Sequence, residues 1–405
     1  MKINHDRRRL MKDRISNITR MGMLMALTAI AALCMVPQVR AGGGSFYPTV
    51  TNVTQLIADI NYANTSGGTF TINLQPNTTF DLITINGVDA FNSADLLPII
   101  GGPNAVNLTI LGNGDTIQRD ATIYGARLIE VAKGSSLTLD QMTLQNGYCY
   151  AHNGGAIYNF GTLVISNCTL SGNISYYSGY SSDLLGGKGG AIYNNAGTVI
   201  ISDSFLSGNS AYGNGPECEG GAICNDSGTV KISHSTISGN YADGDGGGIY
   251  NHSGMVTISH STISGNGADG YDGDGDAYGY GGGIYNNGTV TVENSSSITG
   301  NGAVDLGPDV YNLGQLYLDG TSTIGVLDGS SAIGVSPVLS VNSWSSAAHQ
   351  LVLSWSTNYT GCTLQSSTGL GSTNWTDCAS PTVSGASFVV TNSMSAGAQF
   401  FRLKR

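Results

Sequence analysis

Apolar and polar residues alternate in a unit that recurs along the central chain. The unit GGGIYNHSGMVTISHSTISGN (246–266) returns with changes at 154–173, 189–209, 220–240 and 281–301, and a degenerate copy covers 309–324. Behind each IYN motif, two apolar positions flank a middle position occupied by Val164, Ile200, Lys231, Thr257 or Thr291. Because that middle position accepts charge, the alternation predicts a short β-strand with one buried face.

Two asparagine columns separate a rigid half of the unit from a variable half. The Asn of the first motif and the Asn of the SGN or TGN motif are always 14 or 15 residues apart. By contrast, successive first Asn residues are separated by 35, 31, 26, 35 and 26 residues. The pattern indicates stacked coils of about three short strands, with loops of variable length on one side.

Such coils predict an all-β fold, a single-stranded parallel β-helix, and the resemblance described next implies that it is right-handed. Neighbouring rungs, each one turn of the helix, then hydrogen-bond at about 4.8 Å, with like residues stacked on like. The two Asn columns are expected to form internal amide ladders, which satisfy polar groups that are costly to bury alone.

The GGAIYN…TVTISxSTISGN units resemble the GGAI-type repeats of polymorphic outer-membrane proteins. More widely, they are similar to the right-handed parallel β-helices of bacterial surface proteins and of the pectate-lyase-like superfamily. The resemblance covers about 154–326, with looser rungs back to about residue 68. It implies architecture and not chemistry, because the same scaffold carries lyases, hydrolases and adhesins.

Residues 1–41 have the build of a signal peptide, with a basic segment, an apolar run (21–36) and a cleavage site after Ala41. A twin-arginine route and the general secretory route both stay open. Without this leader the chain has 8 Lys and Arg against 25 Asp and Glu, a net charge of −17. Such a surface repels nucleic acid and anionic lipid. We therefore expect a bacterial protein that is secreted or held at the cell surface or outer membrane.

Four parts follow the leader. Residues 42–67 are expected to cap the β-helix, with a short amphipathic helix over 53–63 that covers the first sheet edge. Residues 68–326 form the β-helix, and 327–340 form a linker. Residues 341–405 hold all three Trp and alternate like antiparallel strands, which predicts a small immunoglobulin- or fibronectin-like β-sandwich.

The exported chain keeps six cysteines, an even number that suggests disulfides. Cys362 and Cys378 are the favoured pair, because both belong to the small C-terminal domain. Cys218 with Cys224 is a second choice. For the four cysteines of the β-helix, unpaired burial in repeat slots is an open alternative.

One corner column offers weak catalytic candidates. It carries Asp203, His234 and His260 in successive rungs, about 5 Å apart, where they could transfer protons or hold a metal. The alternative is a corner that selects turn-forming polar residues, since Asn167 and Asn294 occupy its ends. No lyase-like or polygalacturonase-like constellation is recognisable, and no basic residue of the β-helix adjoins an acid pair in a repeat slot. The sequence therefore leans against an enzyme and leaves the question open.

Binding candidates lie on tyrosines and on the variable segments. The tyrosine column follows the Ile of each IYN motif and, if it faces outward, forms an aromatic stripe that can stack on sugars; if the rung bends early, it is core. The variable segments 174–188, 210–219, 241–245 and 267–280 are expected to form one loop-covered recognition face. The binding candidates are Tyr158, Tyr193, Tyr250, Tyr285, Tyr271 and Tyr278. A low-ranked Ca²⁺ site, the only cofactor considered, would use Asp269, Asp272, Asp274 and Asp276.

These observations predict an exported, non-enzymatic, adhesin-like binding protein that recognises a glycan or another cell-surface partner. The alternative is a polysaccharide lyase or glycoside hydrolase of the β-helix type. We expect a monomer with no nucleic-acid partner and no transmembrane segment after the leader is removed.

Overall fold

The computed structural model describes twelve ranges of the chain. They are 47–89, 93–177, 186–213, 218–271, 277–329, 333–334, 339–345, 350–356, 363–368, 374–384, 387–393 and 399–404. The predicted signal peptide lies outside them. All described residues belong to one compact unit, Tyr47–Arg405.

A helix, Val53–Ser66, precedes the first rung. The side chain of Asn52 accepts a hydrogen bond from the backbone N–H of Gln55 and so caps the helix at its start. The helix ends before Gly67, whose φ of 65° is readily adopted only without a side chain. Its buried face carries Leu56, Ile60 and Ala63. The predicted amphipathic helix is thus present, and it runs three residues further than expected.

Three sheets of the described chain form the walls of the coil. The largest contains Gly68–Asn73, Thr79–Leu82, Val106–Arg119, Ser136–Gln145, Thr162–Ser166, Thr169–Ser171, Thr198–Ser202, Phe205–Ser207, Thr229–Ser233, Thr236–Ser238, Met255–Ser259, Thr262–Ser264, Thr289–Glu293, Ser297–Ile298, Gln315–Leu318, Thr323–Ile324 and Ile333–Gly334. The eight-stranded sheet contains Ile129–Val131, Ile157–Asn159, Ile192–Asn194, Ile223–Asn225, Ile249–Asn251, Ile284–Asn286, Val310–Asn312 and Leu327–Asp328. The nine-stranded sheet contains Gly87–Val88, Ala94–Asp95, Ala126–Arg127, Tyr148–Tyr150, Ile174–Tyr177, Ser210–Gly213, Tyr241–Ala242, Gly267–Ala268 and Gly302–Ala303.

Parallel pairing of like residues confirms the predicted parallel β-helix. Ile192 pairs with Ile157 in one neighbouring rung and with Ile223 in the other. Val256 and Ile258, two predicted core positions, are fully buried. The right-handed sense stays a prediction that accords with the usual hand of parallel crossovers.

Each regular rung has four strands and not the expected three. A residue with positive φ, such as Asp203 at 51°, splits the long wall into two strands of the same sheet. The fourth strand starts the variable segment, where a loop was expected. Its inward residues are small, for example Ala211 and Ala242, and both are fully buried. Small side chains gave this strand no apolar alternation, so the sequence pattern missed it.

The two asparagine columns form the predicted ladders. In the first, Asn194 Nδ2 donates to Asn225 Oδ1 at 2.8 Å, and Asn225 Nδ2 donates to the next rung at 2.8 Å. In the second, Asn209 Nδ2 donates to Asn240 Oδ1 at 2.9 Å. This second ladder ends on a carboxylate, because Asn301 Nδ2 donates to Asp309 Oδ1 at 2.9 Å. The buried amides are therefore paired along the stack.

The C-terminal part contains two antiparallel sheets. Four strands form one sheet, Ser340–Ser345, Gln350–Ser356, Thr382–Ser384 and Ser387–Ser393, and three form the other, Thr363–Ser367, Thr376–Asp377 and Phe400–Lys404. Leu353, Trp355 and Val390 from the first sheet share a core with Leu364 from the second. This packing agrees with the expected small β-sandwich.

The cysteines of the β-helix are buried. Cys149, Cys168 and Cys224 carry free thiols, so the second-choice bridge between Cys218 and Cys224 is wrong. A thiol is a small apolar group that fits a repeat slot without a partner. In the C-terminal part Cys378 has a free thiol. Because that thiol is unbridged, the structure does not show the predicted Cys362–Cys378 bridge; Cys362 itself lies outside the described residues.

Candidate binding surface

The corner column of Asp203, His234 and His260 is exposed, and its backbone conformation explains which residue types occur there. Their φ angles are 51°, 49° and 49°, in the left-handed region that Asn, Asp and His enter more easily than other side chains. The two imidazoles lie in file as expected, with ring centroids 4.7 Å apart and planes 7° from parallel. Among the described residues, no cluster of His, Cys, Asp or Glu could hold a metal ion. The turn geometry is sufficient to explain the residue types of this column, and the catalytic role of its side chains stays a prediction.

The tyrosine column behind the IYN motif is not an open stripe. Tyr158, Tyr193 and Tyr250 are only 6–7% exposed, and Tyr285 is half-buried. These three rings therefore do not form an open stripe that could stack on sugars. The rings pack on one another. The ring centroids of Tyr158 and Tyr193 are 5.0 Å apart, and those of Tyr250 and Tyr285 are 4.9 Å apart. Strand alternation predicts that a side chain leaves the inner core, but not what lies over it.

Polar groups beside the glycine pairs contribute to that cover. The carboxylate of Glu219 lies 2.7 Å from Lys188 Nζ and forms a hydrogen bond with Tyr250, one rung further along. On the next rungs, Tyr280 packs on Tyr311 with ring centroids 4.7 Å apart. The pKa of Tyr193 is raised, chiefly by burial. These rings are not accessible enough to be a primary recognition surface.

A buried arginine with acidic neighbours is a feature that the sequence analysis missed. Arg127 Nη2 lies 2.6 Å from Asp89 Oδ2, and Arg127 Nε lies 2.9 Å from Asp95 Oδ1. Its guanidinium also covers Tyr158, with Cζ 4.7 Å from the ring centroid. The sequence analysis found no basic residue beside an acid pair in a repeat slot, and Arg127 lies outside those slots. The acids come from an irregular early rung (87–95), where no repeat register predicts their position.

Burial changes the acidity of this cluster but also closes it. Desolvation raises the pKa of Asp95 to about 7 and that of Glu130 to about 7, although Arg127 opposes both shifts. The side chains of Arg127 and Asp95 have no exposed area. A polymer therefore has no access to these carboxyl groups, and the cluster fastens the early rungs together.

Partly accessible aromatic rings lie on and beside the outer face of the nine-stranded sheet; one is exposed and four are half-buried. We name this set the tyrosine surface; its members are Tyr124, Tyr148, Tyr150, Tyr176 and Tyr212. Tyr150 and Tyr176 are stacked with centroids 5.4 Å apart, and Tyr176 meets Tyr212 edge-on at 5.1 Å. Tyr124 is 69% exposed and lies 5.2 Å from Tyr150. The rings follow one another along the helix at about one per rung.

Strand register produces this surface. Tyr150 pairs with Tyr176, and Tyr176 pairs with Tyr212, so their side chains share one face. The intervening residues Cys149 and Ala211 point inward and are fully buried. The sequence signal was the alternation in YCY, SYY and AYG. The inward residue beside each tyrosine is Cys, Ser or Ala, which is too small or too polar to be recognised as part of a buried strand.

Arg119 supports the surface rather than offering a charge to a ligand. Its Nε donates to the carbonyl of Asn146 at 2.8 Å, and its Nη1 donates to the carbonyls of Asp120 and Ile123. These bonds hold the turn that carries Tyr124. Arg119 Cζ also lies 5.5 Å from the ring centroid of Tyr148. Burial raises the pKa of Tyr148, which therefore stays neutral at physiological pH.

The remaining predicted site residues are only partly described. Gly270–Tyr271 and Ala277–Tyr278 form a two-stranded antiparallel hairpin, and Tyr278 is half-buried. Asp269 precedes this hairpin. Asp272, Asp274 and Asp276 lie outside the described residues, so the Ca²⁺ site stays a prediction.

The comparisons agree with the repeat architecture. The family model of the Chlamydia polymorphic membrane protein repeat matches residues 167–195 and 234–252. The repeats of this chain are therefore similar to that repeat, which confirms the predicted resemblance. No curated protein and no solved structure matches the chain. Within its described part, no helix combines the length and the apolar character that a membrane crossing requires.

Proposed function

We propose that this chain is an exported, adhesin-like binding protein of a bacterial surface, and that the tyrosine surface recognises a glycan or another cell-surface partner. The single observation that carries the proposal is a row of one exposed and four half-buried tyrosines along one wall of the β-helix. The similarity to a polymorphic membrane protein repeat supports the surface location.

The chemistry of the surface favours an uncharged or weakly polar ligand face. Tyrosine offers a large, stiff contact area that costs little side-chain entropy, together with a hydroxyl that can donate or accept. Arg119, the cation beside it, already uses Nε and Nη1 on backbone carbonyls. The net charge of −17 outside the leader disfavours acidic polymers.

A binding experiment with matched variants tests the proposal. The triple variant Tyr150→Ser, Tyr176→Ser, Tyr212→Ser removes three half-buried rings of the tyrosine surface and leaves the inward residues intact. We expect it to lose about tenfold or more in retention on a glycan array and on whole cells, because each aromatic contact contributes about 1 kcal/mol. Phe205→Ser, at a 57% exposed ring on the largest sheet, is the control and should bind normally. Equal binding by both variants would reject the tyrosine surface.

The alternative function is polysaccharide cleavage, and the carboxyl groups of raised pKa beside Arg127 are the observation in its favour. Their burial argues against it. We expect no turnover of pectin, alginate or neutral glucans by the purified chain. Cleavage that disappears in Glu130→Gln or His234→Ala would establish an enzyme instead.

A further inference from the structure

A groove lies at the corner between the eight-stranded sheet and the largest sheet. Its volume is about 360 Å³, and it is lined by Gly134, Ser135, Ser136, Phe160, Gly161, Thr162, Ala196, Gly197 and Thr198. These residues come from three successive rungs and lie apart from the tyrosine surface, which is on the nine-stranded sheet.

Unequal turn lengths create the groove. In the middle rung two residues, Phe160 and Gly161, join Asn159 to Thr162. The preceding rung has four residues between the matching strand ends, and the following rung has three. Because the strands on both sides keep their register, the shorter turn is recessed between two longer ones. A Cβ on Gly161 would lie 2.3 Å from the carbonyl oxygen of Ser135, so only glycine lets this turn sit so deep.

A rigid aromatic stack supports one side of the groove. The ring of Phe160 stacks on Tyr158 with centroids 4.3 Å apart, and the guanidinium of Arg127 lies over Tyr158 at 4.7 Å. Asn195 Nδ2 donates to the Tyr158 hydroxyl at 3.2 Å, which fixes that ring. Phe160 itself is only half-buried, so part of its ring faces the groove.

Hydroxyl groups complete the lining, and none of the lining residues is charged. Ser136 donates to Asn107 at 2.8 Å. In the described part of the chain, the hydroxyls of Thr162 and Thr198 have no hydrogen-bond partner, although both residues are half-buried. A ligand here must present one apolar face to Phe160 and hydroxyl groups to the threonines.

We propose that this groove binds one neutral pyranose ring of a glycan, as a site separate from the tyrosine surface. A pyranose has an apolar C–H face and a rim of hydroxyl groups, which matches an aromatic wall with unused Thr hydroxyls beside it. The inference goes beyond the proposed function, because it stands if the tyrosine surface recognises a protein.

Ligand-observed and protein-observed NMR of the full exported chain tests this site. The probes are methyl pyranosides of glucose, galactose, mannose and N-acetylglucosamine, with sorbitol as an acyclic polyol of similar hydroxyl content. We expect at least one pyranoside to shift the signals of Phe160, Thr162 and Thr198, and sorbitol to leave them unchanged. Absence of any pyranoside-specific shift there would overturn the proposal.

Two variants separate binding from folding. Phe160→Ser removes the aromatic wall and should weaken pyranoside binding about tenfold. Replacing Phe160-Gly161 with Asn-Ala-Gly, the turn that the next rung already uses at 195–197, should fill the groove without disturbing the ladders. Phe205→Ser, at an exposed ring outside both sites, should keep the pyranoside-induced shifts of Phe160, Thr162 and Thr198 that the parent shows. Unchanged affinity in both groove variants would refute the site, whichever way the tyrosine surface behaves.

Discussion

At positions 234 and 260 the backbone selects the residue, not the imidazole chemistry. Both have φ of 49°, and the equivalent positions in other rungs, Gln141, Asn167, Asp203 and Asn294, have positive φ as well. The sequence showed this column and its spacing, including the stacked histidines. It could not show which of the two explanations held, because φ depends on how the corner closes.

A substitution at His260 therefore tests conformation. His260→Val should lower the free energy of unfolding by about 1–2 kcal/mol, because a β-branched side chain is strained in the left-handed region. His260→Asn should be close to neutral. Urea denaturation of both variants measures the difference. Equal losses would mean that the imidazole itself contributes to stability.

The asparagine ladders allow a second test with one substitution at two positions. Asn225→Asp removes the donor that reaches Asn251 Oδ1 at 2.8 Å and sets two acceptors against each other inside the stack. Its cost should be about 3 kcal/mol or more. Asn312 closes its ladder, accepts from Asn286 at 2.7 Å and donates only to Gly314 at 3.3 Å. Asn312→Asp should therefore cost clearly less in thermal unfolding, and the reverse order would contradict the ladder geometry.

Among the elements, strands with large apolar residues were predictable and strands with small ones were not. The strand that holds Val256 and Ile258 was predicted from its alternation of apolar and polar residues. The Tyr241–Ala242 and Gly267–Ala268 strands did not, so the segments that hold them were taken for loops. The tyrosine surface was missed for the same reason, since it lies on the strands of that wall. The burial of the Tyr158 column could not be predicted either, because it depends on contacts with residues that are distant in sequence.

We nevertheless expect the β-helix to tolerate shortening of a variable segment. Replacing 267–280 with the five residues of 241–245 keeps a strand equivalent to Tyr241–Ala242, which pairs in register with Gly267–Ala268. We expect cooperative unfolding and a stability change of about 1 kcal/mol, since loop closure depends only weakly on length. Any Ca²⁺-dependent rise in melting temperature should vanish with the loop. Differential scanning calorimetry with and without Ca²⁺ measures both effects, and loss of the folded state would show that the hairpin is structural.

For the whole molecule, the acids around Arg127 predict an unusual pH response. Asp95 and Glu130 have folded-state pKa values of about 7, above their ordinary values near 4. Between these limits the folded chain holds protons that the unfolded chain releases. Their contribution to stability is therefore greatest in acid and declines as the pH rises to about 7.

Removing one of these carboxyl groups isolates the effect. Asp95→Asn should flatten the decline in unfolding free energy between about pH 4 and about pH 7, because one titrating group is lost from the folded state. Asp203→Asn, at an exposed corner, is the control. Urea unfolding across the pH range measures both, and an identical slope in Asp95→Asn and the parent would contradict the assignment.

The ladders also give the molecule a polarity. From Asn159 to Asn312, and from Asn173 to Asp309, each amide donates toward the C-terminal rung and accepts from the N-terminal one. The C-terminal side of a rung thus presents Asn Nδ2–H groups, and the Asn Oδ1 atoms of the next rung accept from them. Asp309, which can only accept, suits the last place in its ladder and no earlier one. Each rung therefore has a donor side toward the C-terminus and an acceptor side toward the N-terminus, so two rungs are complementary in one orientation only.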